Sequence, residues 1–231
     1  SITTDSNSYE FTYGDYDNFL SVLGTTLTPS NSDQTVKFYN GLEEVTSISN
    51  AGVYTIVIKV EETNHYKASS TSVTIVVNKK EEAVEMDDEF EYGSTMDHVE
   101  DSVKVSEFGT FTIYESDPNE PQMSLLSTYK PLLGNADSTK NVWVSFVPYP
   151  QYEMNYKAYT KQITIKIIKK NITVNINSDA GFYGNVTAAS ATLNGILAGE
   201  ENDVKLTLTY TGTANDGEVY NSIDTPTKAG T

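Results

Sequence analysis

The chain has 231 residues, enough for two or three small domains, and its 38% hydrophobic and 11% aromatic content sets it apart from a disordered polymer. Its 32 Asp and Glu outnumber 15 bases, all of them lysine, for a net charge of -17; nucleic acid and anionic membrane surfaces call for clustered cations, so neither is an expected partner. With no cysteine, disulfides and thiolate chemistry are excluded, and no apolar run approaches the ~18 residues of a membrane-spanning helix.

Along the chain, SITTDS alternates and leads into FTYGD at 11–15, where Gly14 after Tyr13 predicts a turn or bulge at positive φ. YTIVIKV (54–60) and SVTIVV (72–77) alternate with period 2 and are rich in β-branched residues, the mark of strands buried on one face. Residues 81–101 carry ten carboxylates and no lysine, which predicts a solvated acidic edge that discourages strand pairing. FEYGS follows at 90–94. MSLLSTYKPLLG (123–134) comes nearest to an apolar helical stripe, but Pro131 and Gly134 limit it to a turn or two. NVWVSFV, with Trp143 in the place of Tyr54, and QITIKIIKK (162–170) predict two more strands. NITVNI (171–176), GFYGN (181–185) and VKLTLTY (204–210) then lead to a terminal TKAGT.

These landmarks repeat. Tyr-Gly pairs head three stretches at 13, 92 and 183, and Tyr66 precedes Lys79 by the same 13 residues that separate Tyr156 from Lys169. The repeat divides the chain into units at 1–80, 81–170 and 171–231, the second with a longer loop at 116–141. The third reaches Ala-Gly at 229–230 and stops where SISNAGVYT enters a strand, so about 26 residues holding two strands are expected beyond it. Some seven short strands in 80 to 90 residues predict an all-β fold of tandem immunoglobulin-like antiparallel β-sandwiches; β-grasp-like repeats are the alternative, and would need a helix. NKKEEA and KKNI leave almost no linker, which predicts a semi-rigid series.

The Tyr-Gly pairs, DTPTKAGT beside SISNAGVYT, NHYKAS beside MNYKAY, and the closing Lys-Lys pairs resemble the MBG-type and related bacterial immunoglobulin-like surface repeats. The resemblance covers nearly the whole chain; the middle unit departs from it by lacking Ala-Gly and by its longer loop. It implies an extracellular, secreted or wall-attached segment of a bacterial surface protein, acting as a stalk or adhesin module. It brings no catalytic residues and no cofactor.

The chemistry-bearing residues are sparse. His65 and His98 lack partners at metal-ligand or catalytic spacing and read as polar surface residues. Glu81, Glu82, Asp87 and Asp88 could offer oxygens to Ca²⁺, though no Asp-x-Asp-x-Asp-Gly loop is present. Trp143, Tyr149, Tyr152, Tyr156 and Tyr159 form the densest aromatic group and are the candidate glycan-binding residues, because sugar rings stack on flat aromatic faces; packing is the competing role. Asn-x-Thr sequons stand at 171–173 and 185–187. An internal Lys–Asn crosslink would need a buried lysine. The expected partners are a host or dietary glycan or a protein ligand, with strand-mediated self-association through the unfinished third unit. No enzyme is expected.

Overall fold

The computed structural model describes residues 1–30, 33–120, 131–178, 181 and 188–230. The Tyr183-Gly184 pair, the 185–187 sequon and most of the 123–134 stretch lie outside them. The protein is all-β, with its residues in two compact units. One combines Ser1–Asp88, Met96–Tyr129 and Asn141–Ile165; the other combines Glu89–Thr95, Lys130–Lys140 and Lys166–Thr231. This division differs from the three segments drawn from the repeat.

In the first unit the strands are β1 (Ile2–Thr3), β2 (Ser8–Thr12), β3 (Thr26–Leu27), β4 (Val36–Asn40), β5 (Glu43–Val45), β6 (Gly52–Val60) and β7 (Ser69–Asn78). Five of them form a sheet in the order β2-β7-β6-β4-β5, and β1 and β3 pair separately. Period-2 alternation places Ile56, Ile58 and Val60 on the same face as Val73, Ile75 and Val77, all of them buried. Ile2, Phe19, Leu20, Leu23, Ile48 and Ala51 complete the core. They come from β1, from a 3-10 turn at Phe19–Val22 and from the segment before β6. Two layers thus close over one apolar seam.

Asn18 fastens that second layer. Its Oδ1 accepts from the Leu20 amide at 3.0 Å and the Ile48 amide at 3.1 Å, while its Nδ2 donates to the Thr46 carbonyl at 3.0 Å. One side chain therefore caps the 3-10 turn and ties it to residues 46–48. Asn18→Ala is expected to cost about 1–2 kcal/mol. The check is a lower urea midpoint at unchanged m-value; an unmoved midpoint would show the three bonds to be dispensable.

The same unit holds a short helix α1 (Met96–Ser102), a strand β9 (Gly109–Tyr114), and most of the next two strands, β10 (Ser138–Pro148) and β11 (Tyr159–Ile168). β9 pairs antiparallel with β10, and β11 lies on the other side of β10. Val142, Val144, Phe146 and Ile165 are fully buried. Helix α1 lies against β9 and falls within the run expected to be a purely solvated edge. Its seven residues bury Val99 alone, which is too few apolar positions to show a helical stripe.

In the second unit the last residues of β11 pair in parallel with a strand β8 (Glu89–Glu91), with Ile168 opposite Glu91. Two ribbons follow: β12 (Thr173–Asn177) with β13 (Ser190–Asn194), and β14 (Tyr210–Thr213) with β15 (Val219–Ser222).

The Tyr-Gly turn occurs twice with the same bonds. Tyr13 donates its amide to the Asn78 carbonyl at 2.9 Å, and Asp15 donates to Thr12 at 3.0 Å. Likewise Tyr92 donates to Ile168 at 2.8 Å, and Ser94 to Glu91 at 3.0 Å. Gly14 and Gly93 stand at φ 89 and 100, a region that side chains resist. In both places the strand before the turn is parallel to its partner, β2 to β7 and β8 to β11. An all-antiparallel arrangement was expected; these two pairs depart from it, as does the isolated parallel bridge between Lys80 and Tyr156.

The expected equivalence of Trp143 and Tyr54 does not hold. Tyr54 shares the core-facing parity of Ile56 and Ile58 and packs against that core. Trp143 has the opposite parity to buried Val142 and Val144, and stands across from Tyr114. One residue of slip turns a side chain to the other face of its sheet.

Candidate functional site: the aromatic cluster at residues 149–159

The chain leaves β10 at Pro148 and re-enters the sheet at Tyr159, and the loop between is a pair of tight turns. Tyr152 donates to the Tyr149 carbonyl at 2.8 Å, and Asn155 and Tyr156 both donate to Tyr152 at 2.9 Å. This winding drives the Tyr156 ring inward, where it is 4% exposed. Phe108 stacks on it with centroids 4.5 Å apart, and Tyr152 and Tyr13 meet it edge-on at 6.2 and 5.6 Å. Offset stacking and edge contacts are the favourable geometries for such rings.

Around the rings, the chain that leaves β7 is held by its backbone. The Lys80 amide donates to the Asn155 carbonyl and the Lys157 amide donates to the Lys80 carbonyl, both at 2.9 Å. Asn155 Oδ1 accepts from the Ala51 amide at 2.9 Å and its Nδ2 donates to Asn50 Oδ1 at 3.1 Å. Lys79 Nζ donates to the Glu153 carbonyl, and the Tyr159 hydroxyl to the Glu82 carbonyl at 2.6 Å. Lys157 pairs with Glu81 at 2.7 Å; both side chains are about half exposed, so the pair adds little stability.

The five candidate glycan-binding residues are placed differently from one another. Tyr152 and Tyr156 are in ring contact. Tyr159 leans on Phe146 at 5.8 Å with Lys161 Nζ 4.8 Å from its ring centroid. Tyr149 is 38% exposed, and Trp143 is half-buried on the face of β10 away from Val142 and Val144. Sequence reasoning missed Phe108, whose lone position before Gly109 resembles any strand entry, and it took Tyr13 for a turn anchor only.

Burial pushes the Tyr156 phenol up to about 12, with the Glu82 carboxylate adding to the effect, and burial likewise raises Tyr159. A free phenol titrates near ~10. The raised value means the fold holds the neutral form. Its contribution to stability is therefore complete below about pH 10 and is lost as the pH climbs through about 12. Phenolate absorbance is expected in two phases, most tyrosines first and a late phase accompanied by loss of near-UV circular dichroism. Tyr156→Phe should shrink the late phase by one tyrosine; a single phase in the parent protein would count against the buried phenol.

Of the other candidate groups, Glu81, Glu82 and His65 have local partners. Glu81 pairs with Lys157, and Glu82 accepts from Ser106 Oγ at 3.0 Å. His65 Nδ1 lies 3.3 Å from Asp33, whose carboxyl is held below its usual range mainly by a Thr63 hydrogen bond and then by His65. Among the described residues no three His, Cys, Asp or Glu side chains are grouped to hold a metal ion. Ser106 is the only buried polar side chain among them, so a Lys–Asn crosslink finds no buried lysine there.

A scan against protein-family models found no match, and neither did a search of curated proteins.

Proposed function

We propose that the chain is a non-enzymatic segment of a bacterial surface protein, built of tandem immunoglobulin-like units at 1–80, 81–170 and 171–231, which spaces or presents a binding head outside the cell. The observation that carries this reading is the capture of Lys80. The backbone leaving β7 is bonded on both sides, to Asn155 and Lys157, beside the buried ring of Tyr156. A spacer keeps distance only if its joints resist bending. Main-chain bonds and a buried ring leave no free linker at this point, unlike a Gly/Ser-rich connection. The turn used twice with the same bonds supports duplication of one unit.

Small-angle scattering tests the spacer. A compact globule of this length has a radius of gyration of about 17 Å; the reading requires a value well above that, and one near it would sink the proposal. Antibodies raised against the chain should label intact cells of the producing bacterium. Labelling only after permeabilisation would overturn the location. The carbohydrate alternative draws on the rings left accessible at Trp143 and Tyr149. A glycan array separates it from the spacer: a hit abolished by Tyr149→Ala or Trp143→Ala supports it, and no hit on a broad array removes it.

A further inference from the structure

The ribbon of β12 and β13 has one aliphatic face. Val174 stands across from Leu193, and Ile176 across from Ala191. Val174 is 49% and Ile176 61% exposed, with Ile172 just before them at 41%. A ribbon of like build behaves otherwise in the first unit. There β1 and β3 pair Ile2 with Leu27, and Ile2 is 5% exposed, with β1 lying on β6 and β7. Such a ribbon therefore has its aliphatic face covered by a second sheet where one is present, and among the described residues nothing buries Val174 and Ile176 on β12.

Charge says what can approach. Residues 171–198 contain a single charged side chain, Asp179, in a chain of net charge -17. Two copies repel each other over most of their surfaces, and least along this stretch. We propose that two copies of the chain join face to face through this ribbon, Val174 and Ile176 of one against the same residues of the other. The contact is isologous, the same patch serving both partners. The ribbon is small beside the ~800 Å² per partner of a standard interface, so the dimer is weak and reversible. Because distant carboxylates oppose it, screening by salt strengthens it.

Sedimentation velocity of the full chain, from micromolar to several hundred micromolar at low and high salt, tests this. The expected result is a concentration-dependent shift from monomer to dimer, with a midpoint several-fold lower at high salt. Ile176→Asp should abolish the shift, while Asn175→Asp, which adds the same charge on the opposite face, should leave it. Ile176→Thr keeps a β-branched side chain and strand propensity in case the aspartate unfolds the ribbon, and should weaken the dimer several-fold. Amide exchange at 173–177 and 190–194 should slow with concentration. A monomer under all conditions overturns the proposal. So does a dimer equally weakened by Asn175→Asp, one indifferent to Ile176→Thr (edge pairing), or strong protection of 173–177 already present in the monomer (cover from the chain's own residues).

Discussion

Tyr156→Ala is expected to lower stability by about 3–5 kcal/mol, the range for emptying a buried aromatic site. The ring is 4% exposed and lies between Phe108, Tyr152 and Tyr13, three side chains fixed by separate stretches of backbone. None of them can slide into the space without breaking its own bonds, so the cavity stays open. Tyr156→Phe keeps the ring and should cost less than about 1 kcal/mol, which separates packing from the hydroxyl. Asn155→Ala takes away the Ala51 and Asn50 bonds and should fall between the two, at about 1–3 kcal/mol. A double-mutant cycle between Tyr13 and Tyr156 should show about 0.5–1.5 kcal/mol of coupling. Chemical unfolding of all these variants, the Tyr13 single and the Tyr13/Tyr156 double included, is the measurement. A Tyr156→Ala change within about 0.5 kcal/mol would place the ring outside any cooperative structure and remove the main support for a stiff joint.

The sequence carried the strands better than their partners. YTIVIKV and SVTIVV alternate and were expected to be buried on one face, and one alternating set in each, Ile56 and Ile58 with Val73 and Ile75, is buried. Pairing sense has no such local signature. SYEFT meets a strand more than sixty residues away, and nothing in either shows that they run parallel. The slip at Trp143 has a similar cause: VWVSFV is apolar at both parities, so alternation cannot say which set faces the core. Helix α1 was hidden because Val99 is its one buried residue. The aromatic cluster was half visible. Tyrosine density pointed to residues 149–159, but the bonds that fasten the loop come from the backbone of Lys80 and Ala51 and the side chain of Asn50, residues that no periodic pattern singles out.

Gly109→Ala should be nearly as damaging, at about 3 kcal/mol, the upper end of what overpacking costs. Gly109 opens β9, opposite Pro148 on β10, with φ outside the positive range, so backbone strain is not the reason for glycine. Space is. A methyl group built there would meet the Val147 carbonyl oxygen at 2.4 Å and the edge of the Phe146 ring at 2.6 Å. Phe146 is fully buried against Phe111 and Tyr159 and cannot swing aside, and the carbonyl is main chain. The strand entry must then move. The next bond along the pair joins the Tyr149 amide to the Phe108 carbonyl at 2.9 Å, so the shift reaches the ring that stacks on Tyr156. Gly109→Ala is thus expected to disturb the joint from outside it, lowering the urea midpoint and bringing the late tyrosine titration forward together. Phe146→Leu on the Gly109→Ala background relieves the ring clash but not the carbonyl clash, and should restore only part of the loss. Full rescue would show that the backbone yields freely; no change in the tyrosine titration would show that β9 and the joint are uncoupled.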